Sequence, residues 1–512
     1  MGLVEALLAR TEDRRTRASA ALGDALARVR LGQFYTPSRA AALIAGMPRL
    51  PRSGILRILD PGAGTGSLTA ALIARIVREA PGLQIEIVAA EIDPTATAHL
   101  SETLADCVKV AKAEGTHVAA TVLQADLVDG ATRLCGDRGH LADPFDLVIM
   151  NPPYRKLAAQ STERQALLAV EGVDCPNLYA VFLAIGVQVL RPGGQLVAIT
   201  PRSFANGPYF GAFRRFFLQR MALDQVHVFE SRSVVFADSD VLQENIIFCA
   251  TRSGDRDQVN LSVSRGHVDE ASSRTVAYAD IVKPSDPNQF IHIPAGEADA
   301  DTTSMFAALP CGLPELGIEV STGRVVDFRA REYLLEEPAA GAVPLIYPGN
   351  LRDGRVRWPL PIRKPQALAT CPDTQKLLLP NERYVIVKRF SAKEERRRVV
   401  AVVYDPEDVN ADAVGFENHL NIFHCRGRGL QPLIAAGLCL WLNSTAVDQF
   451  FRTFSGHTQV NATDLRFMQY PSTDQLSSLG AALGQGAWPD QQKIDSLVAA
   501  HVFPPAISHD GR

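Results

Sequence analysis

The feature that most constrains the fold is a regular alternation of short apolar runs with longer amphipathic runs between residues 55 and 251. The apolar runs predict strands at 55–60, 85–91, 119–125, 145–150, 194–200, 224–229 and 245–251. The runs before and between them predict helices at 37–46, 67–80, 95–113, 177–190 and 209–221. Strands that alternate with helices build a largely parallel sheet with helices on both faces, so the sequence predicts an α/β fold.

A glycine-rich turn follows the first predicted strand. Asp60-Pro61-Gly62-Ala63-Gly64-Thr65-Gly66 lies between that strand and the helix at 67–80. Glycines let a backbone approach a ligand closely, and a helix N-terminus presents unpaired N–H groups. The turn is therefore a candidate cofactor cradle, although the pattern alone also serves a dinucleotide or a plain tight turn. It is not a G-x-x-x-x-G-K-[ST] loop, so triphosphate hydrolysis has no support.

Two acidic residues close the next two predicted strands. Glu91 ends the run 85–91, at the position where nucleotide-binding folds place a carboxylate on a ribose. Asp126 follows the run 119–125, where a carboxylate can accept a hydrogen bond from an exocyclic adenine amine. Together with Asp60, these residues predict a cofactor site at the carboxyl edge of the sheet.

A rigid polar turn, Asn151-Pro152-Pro153-Tyr154, follows the buried strand predicted at 145–150. The two prolines fix φ and remove two backbone donors. The side-chain oxygen of Asn151 and the carbonyl of Pro152 then offer two acceptors, which suit a substrate amine with two donors. Tyr154 adds a flat face on which a ring can stack. An ordinary strand-to-loop turn is the alternative interpretation.

In this order, the motifs resemble those of S-adenosylmethionine-dependent DNA amino-methyltransferases. The resemblance is carried by Gln33-Phe34-Tyr35-Thr36-Pro37, the glycine turn, Glu91, Asp126 and Asn151-Pro152-Pro153-Tyr154. An F-Y-T-P element ahead of the glycine turn and a long C-terminal remainder are similar to the gamma class, which includes TaqI-type adenine methyltransferases. The stretches 320–329 and 416–421 are similar to PstI/BsuBI-type restriction-modification methylases.

The resemblance implies a Rossmann-like sheet that binds S-adenosylmethionine and methylates N6 of a flipped-out adenine in double-stranded DNA. Flipping a base costs on the order of a few kcal/mol. The family pattern assigns catalysis to Asn151, Pro152 and Tyr154, and it stacks the base between Tyr154 and Phe236. Phe236 fits a core position equally well. The implied cofactor-binding residues are Tyr35, Thr36, Asp60, Gly62, Gly64, Glu91, Ile92, Asp126 and Leu127.

Other functions share this chemistry and remain open from the residues alone. An N4-cytosine DNA methyltransferase uses the same acceptors, although Asn at position 151 in place of Ser favours adenine. A ribosomal-RNA or protein-glutamine methyltransferase can carry N-P-P-Y too, but it typically lacks the F-Y-T-P element and a large C-terminal region. A non-catalytic DNA-binding subunit would have no chemical need for Asn151, Asp60 and Glu91. A restriction endonuclease acting on the same site is an expected partner.

Positive charge is concentrated in one part of a chain whose formal net charge is -4. Residues 350–400 contain thirteen Lys or Arg against five acids. Basic stripes with interleaved aromatic residues are typical of phosphate contact, although a charge run can also be a solvated surface. The predicted DNA contacts are Lys388, Arg389, Arg396, Arg397 and Arg398.

These features divide the chain into four predicted parts. They are an N-terminal helical segment (1–31), a catalytic domain (32–252), a linker or border (253–310) and a mixed α+β target-recognition domain (311–512). The eight cysteines form no C-x-x-C pair, so we expect neither a metal nor a disulfide framework. No apolar run approaches the roughly 20 residues of a membrane span. We therefore expect a cytoplasmic enzyme with no membrane partner.

Overall fold

The computed structural model describes most of the chain. The described residues are 2–21, 35–126, 128, 143–229, 245–264, 271–284, 286, 288–293, 302, 305–306, 308–391, 395–454, 459–484 and 486–503. The chain folds as two compact units, unit 1 (Met1–Ala295) and unit 2 (Gly296–Arg512). Unit 1 contains the predicted alternation of strands and helices, and unit 2 contains the basic segment.

The elements of unit 1 follow the predicted pattern closely. Its helices are α1 (Leu3–Ala21), α2 (Ser38–Gly46), α3 (Ser67–Glu79), α4 (Pro94–Ala113), α5 (Thr162–Glu171), α6 (Leu178–Val189), α7 (Gly211–Arg220) and α8 (Tyr278–Ile281). Its strands are β1 (Gly54–Pro61), β2 (Leu83–Glu91), β3 (His117–Gln124), β4 (Phe145–Met150), β5 (Leu190–Pro201), β6 (Met221–Phe229), β7 (Asn245–Arg252), β8 (Gln258–Ser264) and β9 (Ser272–Ala277).

The nine strands form one sheet in the order β3-β2-β1-β4-β5-β7-β6-β8-β9. The first five strands of this order are parallel to one another. Strand β7 runs antiparallel between β5 and β6. The sequence predicted no helix between β6 and β7, and parallel neighbours need a crossover connection, so an antiparallel pair is the expected result.

The central strand β4 shows how both faces of the sheet are covered. Val148 and Met150 pack into a core that includes most of α6. Leu147 and Ile149 point the other way, into a core built with α2, α3 and α4. Because side chains alternate along a strand, an apolar run buried on both faces is what a central parallel strand requires. The prediction of helices on both faces is confirmed.

Helix α1 packs on unit 1 through ion pairs and a small apolar face. Leu7 is fully buried in the core that contains α3 and α4. Arg14 donates from Nη2 to Asp106 (2.7 Å) and from Nε to Glu102 (3.0 Å), both on α4. The segment 1–31 was predicted to be helical; its residues 22–31 lie outside the described part of the chain.

The segment predicted to be a linker, 253–310, differs from that expectation. Its residues 258–264 and 272–277 form β8 and β9, the last two strands of the main sheet. In β8 the buried Val259, Leu261 and Val263 alternate with more polar neighbours. That period of two indicates a half-buried strand. The polar and charged residues around it concealed the pattern in the sequence.

Unit 2 combines short strands with a C-terminal group of helices. Its strands are β10 (Glu319–Thr322), β11 (Leu334–Leu335), β12 (Ala342–Ile346), β13 (Leu351–Arg352), β14 (Arg355–Val356), β15 (Ala367–Ala369), β16 (Leu378–Pro380), β17 (Tyr384–Lys388), β18 (Ala401–Tyr404), β19 (Ala413–Phe416) and β20 (Leu420–His424). Its helices are α9 (Pro372–Gln375), α10 (Pro432–Leu442), α11 (Thr445–Phe454), α12 (Ala462–Phe467), α13 (Thr473–Ala482) and α14 (Gln491–His501).

Two sheets organise unit 2. One has the order β10-β20-β17-β18-β14-β13 and the other the order β11-β15-β12-β19-β16. On β17, Val385 and Val387 pack into the core that contains α10 and α13. Tyr384 and Ile386 pack into a core shared with the second sheet. The first sheet is therefore covered by helices on one face and by strands on the other, an α+β arrangement. Within the described residues, no helix is long and apolar enough to cross a membrane.

Candidate active site

Three of the predicted site residues of unit 1 lie at one edge of the sheet. Strand β1 pairs in parallel with β2 and with β4. The carboxyl ends of the three strands therefore lie side by side, and they carry Asp60, Glu91 and the turn that begins at Asn151. In open α/β sheets this edge is where ligands bind.

Asp60 is a buried carboxylate at the end of β1. Its Oδ2 accepts a hydrogen bond from the Thr69 hydroxyl on α3 (2.7 Å). Its Oδ1 is buried and has no hydrogen-bond partner among the described residues. Burial raises the pKa of Asp60 to about 7, against the opposing effect of the Thr69 hydrogen bond. Sequence reasoning missed Thr69, whose signal was a hydroxyl on the otherwise apolar, sheet-facing side of α3.

The glycine turn is shaped by backbone contacts with β2. The N–H groups of Gly62 and Ala63 both donate to the carbonyl of Ala90 (2.8 and 2.9 Å). Gly64 has a φ of +56°, and a Cβ there would lie 2.9 Å from the Tyr35 ring. A residue other than glycine at position 64 would therefore meet both backbone strain and a steric clash.

Glu91 holds the turn from the end of β2. Its Oε2 accepts from the N–H of Gly64 (2.8 Å), and its Oε1 accepts from the N–H groups of Ile92 and Asp93 (2.9 Å each). Burial raises the pKa of Glu91, while these N–H donors act in the opposite direction. A carboxylate offers about four acceptor positions, so capacity remains for a ligand hydroxyl.

Asn151 connects the Asn-Pro-Pro-Tyr turn to the segment ahead of α2. Its Nδ2 donates to the hydroxyl of the buried Thr36 (3.0 Å), and its Oδ1 accepts from the hydroxyl of Tyr154 (3.1 Å). Thr36, Asn151 and the glycine turn line one small pocket, which is bordered by Tyr35, Thr36, Gly62, Ala63, Gly64, Thr65, Ser67, Leu68 and Asn151. Sequence reasoning assigned Thr36 to the cofactor and missed its bond to Asn151.

Tyr154 is packed against both cores of unit 1. Its hydroxyl lies 3.2 Å from the carbonyl of Ile199, in addition to Asn151. Its ring meets Tyr179 edge-on, with centroids 6.3 Å apart. Tyr179 in turn stacks on Phe210 at 5.5 Å. Burial raises the pKa of Tyr154 well above its usual value, so it stays a neutral phenol. No motif or spacing in the sequence pointed to the supporting Tyr179.

The remaining predicted residues of unit 1 have different outcomes. Ile92 follows Glu91 and is 57% exposed, which leaves an apolar side chain open to a ligand. Asp126 is partly exposed and accepts from the N–H of Val128 (2.8 Å). Leu127 and Phe236 lie outside the described residues, as do Phe34 of the F-Y-T-P element and the preceding Gln33.

The basic segment of unit 2 corrects the prediction of DNA contacts. Arg398 has no exposed surface, and its guanidinium lies 5.5 Å from the ring centre of Phe451. Its main-chain N–H donates to Asp448 (2.5 Å). A side chain sealed inside the unit cannot contact DNA, so the prediction is wrong for Arg398.

The neighbours of Arg398 are engaged to different degrees. Arg397 donates to the carbonyl of Ser444 (2.7 Å) and to Gln491, and burial lowers its pKa. Lys388 pairs with Glu395 (2.9 Å). Arg389 donates to the carbonyl of Asn418 (3.1 Å). Arg396 is exposed. An Arg-Arg-Arg run turns its side chains in different directions, and here two of the three point inward.

The unit 1 pocket has the features of a cofactor site. The buried Oδ1 of Asp60 and the buried hydroxyl of Thr65 have no partner among the described residues. Buried polar atoms are normally paired, so both are suited to a ligand. The glycine turn allows close approach of the backbone. Among the described residues, no group of three or more His, Cys, Asp or Glu side chains is arranged to hold a metal ion.

The parallel strand order, the glycine turn and the strand-end acids are those expected of the Rossmann-like methyltransferase sheet that the sequence motifs predicted. Residues 94–236 match the family model described as Eco57I restriction-modification methylase. The chain is 39% identical over 487 residues to the type II methyltransferase M.PstI of Providencia stuartii, covering 94% of this chain and 95% of that protein. With M.BsuBI of Bacillus subtilis the identity is 41% over 459 residues, covering 88% and 89%. The chain therefore belongs to the type II restriction-modification methyltransferases.

One solved structure is similar over nearly the whole chain. The type IIL restriction-modification enzyme MmeI, determined in complex with DNA, aligns with 98% of this chain and 74% of its own. The TM-score is 0.53 and the sequence identity is 12%. At this identity the similarity concerns the fold alone. The fold class and the family expected from the sequence motifs are confirmed.

Proposed function

We propose that this protein is a site-specific DNA methyltransferase that modifies N6 of adenine in double-stranded DNA, as the modification component of a restriction-modification system. The observation that carries the proposal is the position of Asn151, at the carboxyl edge beside the glycine turn and Glu91. An amide oxygen placed there can accept from a substrate amine next to a bound methyl donor. A restriction endonuclease that cuts the same site is the expected partner.

S-adenosylmethionine, when bound, supplies an electrophilic methyl group on a sulfonium that leaves as a neutral thioether. The residues suited to hold it are those of the pocket, together with Glu91, Ile92 and Asp126. Glu91 accepts hydroxyl donors, Ile92 packs on a flat ring, and Asp126 accepts from an amine. Asp60 presents an unpaired, buried oxygen to a donor of the ligand.

The acceptors of the catalytic turn act on the substrate nitrogen. The lone pair of an adenine amine is delocalised into the ring, so the amine is a poor nucleophile. Hydrogen bonds from that amine to Asn151 Oδ1 and to the Pro152 carbonyl favour a tetrahedral nitrogen with a localised pair. A carbonyl oxygen has two acceptor positions, so Asn151 Oδ1 can hold Tyr154 and the amine together. Alignment and electrostatics then supply the catalysis.

The Tyr154 hydroxyl has one proton and two acceptors within reach, Asn151 Oδ1 and the carbonyl of Ile199. Donation to Ile199 leaves the Asn151 oxygen more basic toward the amine. In either arrangement the phenol anchors the Tyr154 ring. Stacking of the flipped base on that ring is worth about 1–3 kcal/mol, which offsets much of the flipping cost.

The methylated base found in the product DNA distinguishes an adenine methyltransferase from a cytosine methyltransferase. We expect DNA incubated with the protein and S-adenosylmethionine to yield N6-methyladenine when its nucleosides are analysed by mass spectrometry. Sequencing of the modified positions should return one short motif. N4-methylcytosine would replace the proposal by its cytosine counterpart, and methyl transfer to RNA or protein alone would overturn it.

The role of Asn151 is tested by Asn151→Ala. We expect the single-turnover rate of methyl transfer to fall about 10²- to 10³-fold, the typical loss when one electrostatic group of a transition state is removed. Cofactor and DNA affinity should change little, because the amide acts on the reacting nitrogen. Asn410→Ala, at an exposed position of unit 2, is the control. Retention of most of the rate in Asn151→Ala would contradict the mechanism.

A further inference from the structure

Because Arg397 and Arg398 turn inward, a DNA-contacting surface of unit 2 has to be built from other side chains. Phe328 is the most exposed large apolar side chain described in this unit, at 77%. A single exposed apolar residue is ordinary on a protein surface. The surroundings of Phe328 distinguish it, because they form a rigid support with a positive charge and further aromatic rings.

The turn that carries Phe328 is held at both ends. The N–H of Val325 donates to the carbonyl of Phe416 (3.0 Å), and the N–H of Ala330 donates to the carbonyl of Val326 (3.0 Å). Val325 and Ala330 are both buried. The backbone on either side of the ring is therefore fixed, and Phe328 projects from a supported turn.

The carboxylate beside Phe328 is fixed and neutralised. Asp327 accepts from the hydroxyl of Tyr347 (3.0 Å) and pairs with Lys364 (2.8 Å). Lys364 also lies 5.2 Å from the ring centre of Tyr347. These contacts lock the side chain next to Phe328 and leave little unbalanced negative charge at the turn.

A second group of side chains lies next to the same turn. The N–H of Asn418 donates to the carbonyl of Val325 (2.8 Å). The following His419 is held by the buried Glu417, with Nδ1 and Oε1 2.7 Å apart. Its ring meets Phe390, which is 40% exposed, at 4.7 Å. A buried carboxylate that fixes one ring nitrogen leaves Nε2 of His419 oriented for a partner.

An exposed basic group lies against the Phe328 ring. The guanidinium of Arg329 lies 5.5 Å from the Phe328 ring centre. Arg329 and Arg331 are both exposed. The exposed Glu332 is adjacent in sequence and lies beside Tyr333. Asp373 is also exposed and accepts from the Tyr333 hydroxyl (3.2 Å), and Glu336 and Glu337 are exposed as well. Asp327 and Glu417 are paired as described above. Exposed arginine beside exposed aromatic rings is the combination that binds phosphates and bases together.

We propose that Phe328, Arg329, Phe390 and His419 form an aromatic face that contacts double-stranded DNA, with Phe328 packed against a base step and Arg329 on a neighbouring phosphate. Apolar side chains inserted at base steps are a known way for proteins to hold a bent duplex. The inference rests on the proposed function, since it names the surface through which unit 2 would meet the DNA substrate.

The experiment compares Phe328→Ala with Leu433→Ala in the full-length protein. Leu433 is another exposed apolar residue of unit 2, on α10 and 48% exposed. Binding is measured with a fluorescent duplex of mixed sequence, and turnover with unmethylated genomic DNA. We expect Phe328→Ala to raise the duplex Kd and the KM for DNA by roughly 5- to 150-fold, the range typical of a lost aromatic stacking contact. The kcat, cofactor affinity and melting temperature should match those of Leu433→Ala.

Two further variants separate the ring from the charge. Phe328→Tyr should keep duplex affinity, whereas Phe328→Leu should keep only part of it, because leucine can pack at a base step but lacks a flat ring for stacking. Arg329→Ala should flatten the dependence of log K on log salt by about 0.9, while Phe328→Ala leaves that slope unchanged.

Two outcomes would overturn the inference: equal DNA affinity for Phe328→Ala and Leu433→Ala, or full recovery in Phe328→Leu. Both affinities are measured with protein that methylates DNA. Failure of the unmodified protein to methylate any duplex would instead count against the proposed function, so the two failures are distinguishable.

Discussion

Two regions stand out in the sequence by their charged residues: the carboxyl edge of the unit 1 sheet, and residues 388–398 of the basic segment of unit 2. In the structure, the charged residues of the first region collect at one site, and those of the second point in different directions. At the edge, Asp60 and Glu91 end two neighbouring strands, and Glu91 holds the glycine turn that lines a pocket together with Asn151. In the basic segment, the side chains of Arg397 and Arg398 pack inside unit 2, whereas the side chain of Arg396 is exposed.

The difference concerns what determines the direction of a side chain. A residue at the end of a parallel strand is carried to a known edge by the sheet, whatever surrounds it. An arginine in an irregular segment points toward whichever acceptors and rings pack beside it. Sequence proximity of like charges therefore predicts a surface far less well than strand-end position predicts a site.

The largest effect should come from a residue of the basic segment. Arg398→Ala removes a buried guanidinium that lies 5.5 Å from the Phe451 ring centre and acts on the buried carboxylate of Asp464. We expect it to lower the free energy of unfolding by about 3–5 kcal/mol, measured by chemical denaturation. Arg396→Ala, two positions away and exposed, should change it by no more than about 0.5 kcal/mol. Equal stability of the two variants, with equal losses of DNA affinity, would restore a surface role for the whole run.

The second prediction concerns the carboxyl edge and its pH dependence. Burial raises the folded-state pKa of Asp60 to about 7, above roughly 3.9 in an unfolded chain. The folded protein binds this proton more tightly, so the contribution is fully present below pH of roughly 3.9 and is lost as pH rises toward 7. Asp60→Asn should remove that loss from the pH profile of unfolding, measured without cofactor.

Asp60→Asn also tests whether this carboxylate binds the cofactor. If the ionised Asp60 accepts from a donor of S-adenosylmethionine, Asp60→Asn should weaken binding by about 1.5–3 kcal/mol, typical of a charged hydrogen bond. Calorimetry at several pH values measures this. The amide can still accept from Thr69, so the fold is preserved. Unchanged affinity together with an unchanged stability profile would show that Asp60 is only a structural residue of the edge.

The smallest predicted effect tests the link between two motifs. Thr36→Val removes the hydroxyl that orients the Asn151 amide, and we expect kcat to fall by the equivalent of one hydrogen bond, about 0.5–1.5 kcal/mol. Thr36→Ser should restore it. Cofactor affinity should stay constant if the hydroxyl acts only through Asn151. A weaker cofactor affinity with unchanged kcat would return Thr36 to a purely cofactor-binding role.

Much of unit 1 could be predicted because its signals are local. The strands predicted at 55–60 and 145–150, among others, correspond to β1 and β4, since long apolar runs have few alternatives in a buried sheet. Strands β8 and β9 were missed because strands that are only half-buried carry a weaker pattern. Unit 2 was predicted only as mixed α+β, because its strands are as short as two residues.

For the candidate site, residue types and order could be predicted, but contacts could not. The sequence pointed to Asn151, Asp60 and Glu91, and their catalytic and cofactor roles stay predictions. It could not show that Thr36 bonds to Asn151, that Thr69 bonds to Asp60, or that Tyr179 supports Tyr154. Each of these pairs joins elements whose packing is set by the whole core.

The sequence by itself determined the class of fold, the family and the edge of the sheet where the motif residues collect. Periodicity and strand-end position are properties of short stretches of chain, so they survive without tertiary information. Only the tertiary structure decided that Arg398 is buried while Phe328 is exposed. Burial is a property of everything packed around a residue, and no local pattern of arginines or phenylalanines contains it.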